Sequence, residues 1–126
     1  MKLVLDTGAL LALERNDRPM WLRFKAAHLS GHLLAAHGGV LGQAWRGKGP
    51  RQALLAKALE GIDIRPIDET LGRATGELLA ASGTSDVVDA ALALMAEDGD
   101  HILTSDPDDM ALLAGLTGRH VEIITV

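Results

Sequence analysis

The feature that most constrains the fold is a repeated alternation of short apolar runs with longer segments of helical periodicity. The clearest apolar run is Lys2–Leu5, which ends at Asp6 and is followed by a turn and a helical segment. Short apolar runs bounded by turn residues are typical of buried strands, whereas apolar residues spaced three and four apart are typical of helices. Strands that alternate with helices form a mostly parallel sheet that is covered on both faces. We therefore expect an α/β fold with three layers, α/β/α.

The same patterns place the remaining elements along the chain. The expected strands are Lys2–Leu5, Leu33–Ala36, Ile62–Ile67, His101–Thr104 and Val121–Val126. The expected helices are Ala9–Leu13, Pro19–Leu29, Val40–Arg46, Arg51–Leu59, Glu69–Ala81, Asp86–Glu97 and Pro107–Ala114. Asp68 stands where the N-cap of the fifth helix belongs, and Gly47–Pro50 is expected to form a loop.

Composition limits the class of protein. A chain of 126 residues fits a single domain over residues 1–126, and 48% apolar residues are enough for a core. With no cysteine there is no disulfide or thiolate metal site. No apolar run approaches the ~20 residues that span a bilayer. Asp6 interrupts the apolar start that a signal peptide needs. We expect a cytoplasmic protein with no membrane partner.

Charge is unevenly distributed. The net charge of −5 argues against capture of nucleic acid by overall charge, although acids gathered in one cleft remain compatible with a nucleic-acid enzyme. Positions 46–51 carry Arg46, Lys48 and Arg51, whereas positions 97–109 carry six acidic residues. The basic residues could contact RNA phosphates beside an acidic pocket. A solvated loop explains them equally well, so both interpretations stay open.

Carboxylates follow two of the predicted strands. Asp6 comes directly after the first strand, and Asp106 follows the His101–Thr104 strand after one serine. Asp86 and Asp89 begin a helix, and their spacing of three places both on one helical face. Ligands of open α/β sheets bind outside the carboxyl ends of the strands, so three segments deliver acids toward one edge. Crowded carboxylates repel one another unless a cation binds, and oxygen ligands suit Mg²⁺ or Mn²⁺.

A simpler explanation exists for some of these acids. Asp86 can serve only as a favourable charge at a helix N-terminus, and Asp106 can serve only as the cap of the helix that follows it. Asp6 ends an otherwise apolar strand and Asp89 lies inside a helix, so the whole set is harder to explain in this way. From residue types and spacing alone, a metal-dependent phosphodiesterase and an α/β binding module both remain open.

Three segments together resemble the PIN-domain family. Val4–Leu13 resembles the start of PIN domains, in which a strand runs into Asp-Thr/Ser-x-Ala-Leu. Asp86–Ala93 resembles their central Asp-Ala-x-hydrophobic-Ala helix, and Ile102–Met110 resembles their Thr-x-Asp segment. The order and spacing match over essentially the whole chain. The resemblance implies a compact α/β/α sandwich with a five-stranded parallel sheet.

The resemblance also implies roles for individual residues. Asp6, Asp89 and Asp106 would be the catalytic, metal-binding acids, with Thr104 orienting one of them and Thr7 assisting at Asp6. The family usually has a further Glu on the helix after the second strand.

This chain departs from that pattern, because Gln43 stands where the further Glu is expected. A Gln offers a carbonyl oxygen but no charge. Asp86 would restore part of the missing charge as a weaker metal ligand.

The activity implied by the resemblance is that of a Mg²⁺-dependent (or Mn²⁺-dependent) endoribonuclease of the VapC toxin type. Its expected partners are an RNA substrate, a VapB-like antitoxin and a second copy of the chain in a homodimer. The alternative is a PIN-fold module that binds RNA or antitoxin with little or no turnover, because Gln43 replaces Glu. A response-regulator-like receiver is disfavoured, since no Lys follows a late strand.

The five histidines show no familiar metal-binding spacing and are interpreted as surface or packing residues. They are His28, His32, His37, His101 and His120.

Overall fold

A five-stranded sheet forms the middle of the molecule, and every pair of neighbouring strands in it is parallel. The computed structural model describes residues 1–126. The strands are β1 (Lys2–Leu5), β2 (Leu33–His37), β3 (Asp63–Arg65), β4 (His101–Thr104) and β5 (Glu122–Thr125). Their order across the sheet is β3-β2-β1-β4-β5. Because all strands run the same way, the carboxyl ends of β1, β2 and β4 meet at one edge.

Seven helices cover the sheet. They are α1 (Thr7–Glu14), α2 (Arg18–Leu29), α3 (Gly38–Ala44), α4 (Pro50–Leu59), α5 (Glu69–Ser82), α6 (Val87–Met95) and α7 (Pro107–Leu116). Helix α1 packs against α2, α3 and α4, whereas α5, α6 and α7 pack against one another. The predicted three-layer α/β/α fold is confirmed. No single helix is both long and apolar enough to cross a membrane.

The core is built mainly from aliphatic side chains. One cluster of 29 buried hydrophobic residues joins the central strands to the helices on both faces. The central strand β1 is buried along its whole length. In α6, Ala90, Ala91, Leu92 and Ala93 are all fully buried, as expected of a helix that is apolar on every side. This burial fixes the start of α6, where Asp86 and Asp89 lie.

Most element boundaries differ from the sequence-based expectation by one or two residues, and three of these differences have a clear physical reason. Helix α3 begins at Gly38 instead of Val40, because the His37 side chain accepts hydrogen bonds from the first free N–H groups of the helix. Strand β3 is limited to three residues; it pairs only with β2, and Pro66, which lacks an N–H, follows it. Helix α6 ends at Met95 instead of Glu97, because the Glu97 N–H donates to the Asp100 carboxylate.

Candidate functional site

Asp6 is a buried carboxylate held at the carboxyl end of β1. It is 5% exposed. Its Oδ1 accepts a hydrogen bond from the Ala9 N–H at 2.8 Å. Its Oδ2 accepts from the Thr104 hydroxyl at 2.5 Å and from the Ser105 N–H at 3.1 Å. Asp6 therefore caps α1 and also ties the end of β1 to the end of β4.

Thr104 orients the two acids that follow neighbouring strands. Its side chain is fully buried, and its hydroxyl donates to Asp6. The same hydroxyl oxygen accepts a hydrogen bond from the Asp106 N–H at 2.9 Å. A single threonine thus fixes the Asp6 carboxylate relative to the backbone of Asp106.

Gly8 allows the loop after β4 to approach α1. A Cβ atom added at Gly8 would lie 2.5 Å from the Cβ of Ser105 and 3.3 Å from Oδ1 of Asp6. No side chain fits at these distances without moving the Ser105 backbone. The contact between this loop and the first turn of α1 therefore depends on a residue without a side chain at position 8.

Asp86 and Asp89 lie at the start of α6. Asp86 is the N-cap, and its Oδ1 accepts a hydrogen bond from the Asp89 N–H at 3.0 Å. Asp89 is partly buried, and both acids line a cavity of about 40 Å³ together with Asp109. Capping accounts for the position of Asp86, but it does not account for that of Asp89.

Asp106 and Asp109 lie at the start of α7. Asp106 occupies the N-cap position, yet its side chain makes no capping hydrogen bond, so capping does not explain this residue. A side-chain hydrogen bond with Asp106, together with the charge of Asp106, raises the pKa of Asp109. Asp109 is not among the site residues predicted from the sequence. Its spacing of three from Asp106 on a predicted helix was the available signal.

These five acids form what we call the acid cluster: Asp6, Asp86, Asp89, Asp106 and Asp109. Burial raises the pKa of Asp89 to about 6, and the charges of Asp86, Asp6, Asp106 and Asp109 add to the effect in that order. None of the five forms an ion pair with a Lys, Arg or His side chain. The acid cluster is therefore an anionic region without an internal counter-charge.

The donor chemistry of the acid cluster fits a hard divalent cation, because every side chain offers carboxylate oxygens. The positions of these carboxylates do not form a complete metal-binding site. No group of three or more His, Asp or Glu side chains is arranged as a metal ion requires. Asp6 is buried and fixed by its hydrogen bonds, whereas Asp86, Asp106 and Asp109 are exposed. Ion binding would require these exposed carboxylates to turn toward Asp6 and Asp89.

Gln43 lies on α3 and contacts α1. The Thr7 hydroxyl donates a hydrogen bond to Oε1 of Gln43. Thr7 follows Asp6 directly, so Gln43 is joined to the residue next to the buried acid. The contact uses a lone pair of the Gln43 carbonyl oxygen and brings no charge to the site.

The three predicted RNA-binding residues surround a different cavity. Arg46, Lys48 and Arg51 line a cavity of about 320 Å³ that none of the acid cluster lines. The buried Gln52 shapes this loop, since its Oε1 accepts from the N–H groups of Arg46 and Gly47 at 2.8 Å and 3.1 Å. The structure places Arg46 and Lys48 on the loop before α4 and Arg51 in the first turn of α4, where its Nε lies 3.9 Å from Oε1 of Glu14, so the three cations are apart from the acid cluster.

No protein-family model matches this chain, and no curated protein matches it significantly.

Proposed function

We propose that this protein is a metal-dependent ribonuclease of the PIN type, with Asp6, Asp89 and Asp106 as its metal-binding acids. The observation that carries the proposal is the acid cluster without a counter-charge, in which the pKa of Asp89 rises to about 6. A folded protein that keeps several carboxylates close together loses stability through their repulsion. Such an arrangement is explained when a cation occupies the site during function.

Each acid would have a different role in binding the metal. Asp6, held by three hydrogen bonds, provides a fixed carboxylate. Asp89, whose pKa is raised in part by the charge of Asp6, lies on a buried helix, and the exposed Asp106 would turn toward both. Asp86, also exposed, would be a weaker ligand at the margin. When bound, Mg²⁺ or Mn²⁺ supplies a water of lowered pKa and neutralises charge at the phosphorus.

The substrate would be single-stranded or looped RNA in the cytoplasm. The exposed residues Arg46 and Lys48 of the loop before α4 and Arg51 at the start of α4 would supply cations for phosphate contacts. Each neutralised phosphate makes binding weaker as salt increases. The choice of RNA rests on the resemblance to VapC toxins, and so does the proposed VapB-like antitoxin. A homodimer is also part of the proposal, and exposed leucines such as Leu22 and Leu29 leave apolar surface for it.

Cleavage of a mixed RNA pool with Mg²⁺ or Mn²⁺ tests the proposal. Wild type is compared with Asp6→Asn and Asp89→Asn. Loss of residues that only support metal ligands costs about 10- to 100-fold, so we expect each ligand substitution to cost more than about a hundredfold.

Asp108→Asn is the matched control. Asp108 is an exposed acid at the start of the same helix as Asp109, and it does not contribute to the raised pKa of Asp89. The control should cleave as wild type does. Equal activity in wild type, Asp6→Asn and Asp89→Asn would remove the assigned site.

A second candidate function is a PIN-fold module that binds RNA or antitoxin with little turnover. Gln43 favours it, because its amide brings no charge and its carbonyl oxygen already accepts from Thr7. Gln43→Glu separates the two functions. If this substitution raises Mg²⁺-dependent cleavage strongly from a negligible baseline, the binding module is the correct assignment. An active wild type that changes little supports the ribonuclease.

A further inference from the structure

His37 is a fully buried histidine between the two helices that carry Gln43 and Asp89. It is the last residue of β2, at the same edge of the sheet as Asp6. Its exposed fraction is 0%. Its ring bonds to the N-terminus of α3 on one side and to the first turn of α6 on the other.

The hydrogen bonds of His37 define its tautomer. The Val88 carbonyl lies 2.8 Å from Nε2, and a carbonyl oxygen can only accept, so Nε2 carries the proton. Nδ1 then accepts from the N–H groups of Gly39 at 3.0 Å and Val40 at 3.4 Å. Both ring nitrogens are satisfied only by a neutral imidazole. Burial lowers the pKa of His37, which keeps it in this form, although the Val88 hydrogen bond acts in the opposite direction.

Close packing around the ring leaves it no freedom. A Cβ atom added at Gly39 would lie 2.9 Å from Cε1 of His37 and 3.4 Å from Cγ2 of Val88. The start of α3 therefore packs closely against both the His37 ring and the side chain of Val88. Val88 immediately precedes Asp89, so the ring acts on the turn that carries this acid.

We propose that His37 is a positioning residue whose Nε2–H holds the first turn of α6, and with it Asp89, against the start of α3. The inference rests on the proposed function, because positioning matters only if Asp89 takes part in cleavage. Because it is fully buried, His37 would not reach a bound RNA. It acts through the Val88 carbonyl.

Two substitutions separate the two hydrogen-bonding sides of the ring. In His37→Asn the side-chain oxygen occupies the place of Nδ1 and still caps α3, since Asn is a favoured N-cap. That side chain is too short to reach the Val88 carbonyl. In His37→Gln the amide nitrogen takes the place of Nε2 and can donate to Val88, but no acceptor remains at the capping position. The pair therefore tests the bond to α6 against the bond to α3.

Steady-state cleavage is measured per folded molecule, with the folded fraction taken from unfolding curves. We expect His37→Asn to lower kcat at least about tenfold, the range found for residues that orient metal ligands, and to leave KM for RNA within about twofold. His37→Gln should keep kcat near that of wild type. Unchanged kcat in both variants overturns the proposal. An equal loss in both, or a loss explained by the unfolded fraction, also overturns it.

Amide hydrogen exchange tests the inference without relying on activity. The N–H groups of Asp89 and Ala90 bond within the first turn of α6, so their exchange should be about tenfold faster in His37→Asn than in wild type or His37→Gln. The Leu71 N–H, which is capped by Asp68 at the start of α5, is the control and should not change. If wild type does not cleave RNA, the proposed function fails and exchange alone decides the holding role. Unchanged exchange at Asp89 and Ala90 then overturns it.

Discussion

Two aspartates of equal burial lie at opposite ends of the sheet, and their surroundings differ. Asp6 follows β1 and Asp100 precedes β4, and each is 5% exposed. Each accepts two backbone N–H hydrogen bonds. Asp100 also pairs with Lys2, whose Nζ lies 3.3 Å from its Oδ2. Asp6 has no cation and lies among four other acids.

Asp100 stabilises the fold through its hydrogen bonds and its ion pair. The acids of the acid cluster have no such ion pair, so stability does not explain their placement. Burial acts to raise the pKa of Asp100, but the N–H groups of Glu97 and Lys2 and the Lys2 charge outweigh it, so the pKa is lowered. At the other edge burial and like charges act together, and the pKa of Asp89 rises. At the amino ends of the strands, the charge of Asp100 is neutralised by Lys2, and we call this edge of the sheet the amino edge. The acid cluster leaves the opposite edge, the carboxyl edge, anionic. Charge substitutions at the two edges should therefore change stability in opposite directions.

Lys2→Met should produce the largest effect. Breaking a buried ion pair by removing one partner costs about 3–5 kcal/mol, and the N–H bonds that Asp100 keeps place the expected loss near the lower end, at about 3 kcal/mol. Urea unfolding at pH 7 measures it. The loss should shrink as pH falls below the ordinary Asp pKa, because a group with a lowered pKa stabilises the fold above that value and loses this effect on protonation.

Lys25→Met is the control for Lys2→Met. Lys25 is exposed on α2 and forms no ion pair, so its substitution should stay within about 0.5 kcal/mol. Equal, small losses at both lysines would mean that the amino edge is not stabilised by its ion pair.

Gly39→Ala tests how the carboxyl edge is held without an ion pair. The new methyl group would press on the His37 ring, and overpacking costs about 1–3 kcal/mol, so we expect a loss of about 2 kcal/mol. Gly38→Ala is the matched control, because an added Cβ there meets no atom within 4 Å. It should be neutral or stabilising by about 0.5 kcal/mol. Equal free energies of unfolding for the two variants would contradict the close packing around His37.

Asp89→Asn should increase stability in the absence of divalent cations. A carboxyl group whose folded pKa is about 6 loses stabilisation as pH rises through that value. The shift corresponds to about 3 kcal/mol at full strength, which solvent screening of a partly exposed group reduces to about 1 kcal/mol at pH 7. Thermal and urea unfolding measure the gain, with Asp108→Asn as the unaffected control.

The pH and metal dependence of this gain are its sharpest tests. The gain should fade as pH falls from 6 to 4, because the folded state of wild type then binds a proton at Asp89, which removes the cost of burying the charge and the repulsion by the other acids. Added Mg²⁺ should stabilise wild type by mass action and reverse the difference. A gain that is constant with pH would show that the negative charge of Asp89 is not its cause.

The architecture and part of the site follow from local sequence signals. Alternating apolar runs and helices indicate a parallel sheet, and the parallel sheet alone places Asp6 and Asp106 at one edge. Asp86 caps α6 as its residue type predicts. Asp109 is not predicted, because a favourable charge at the start of a helix already accounts for an acid at this position. Its interaction with Asp106 depends on side-chain positions that the sequence does not give.

His37 shows what a single sequence cannot supply. It lies 51 residues from Val88, and nothing near it indicates that contact. A histidine at the end of a strand is compatible with a surface position, a packing role or a ligand. Only the tertiary arrangement of α3 and α6 determines that both ring nitrogens are buried and bonded.

The smallest effect should come from the same substitution at two equivalent helix caps. Asp86 and Asp68 each accept a hydrogen bond from the N–H three residues ahead, at 3.0 Å and 2.9 Å, and Asn preserves that bond. At Asp68, loss of the charge removes only a favourable interaction with the helix dipole, so Asp68→Asn should cost a few tenths of a kcal/mol.

At Asp86 the loss of the interaction with the helix dipole is offset, because the substitution also removes a repulsive charge near Asp89. Among the neighbouring charges, that of Asp86 raises the pKa of Asp89 the most. Asp86→Asn should therefore be more stable than Asp68→Asn by about 0.5 kcal/mol at low salt. The difference should decrease in 1 M salt, which shortens the screening length to about 3 Å. Equal effects at both caps would mean that Asp86 acts only as a cap. Repulsion among the acids at the carboxyl edge would then destabilise the fold less than the raised pKa of Asp89 implies.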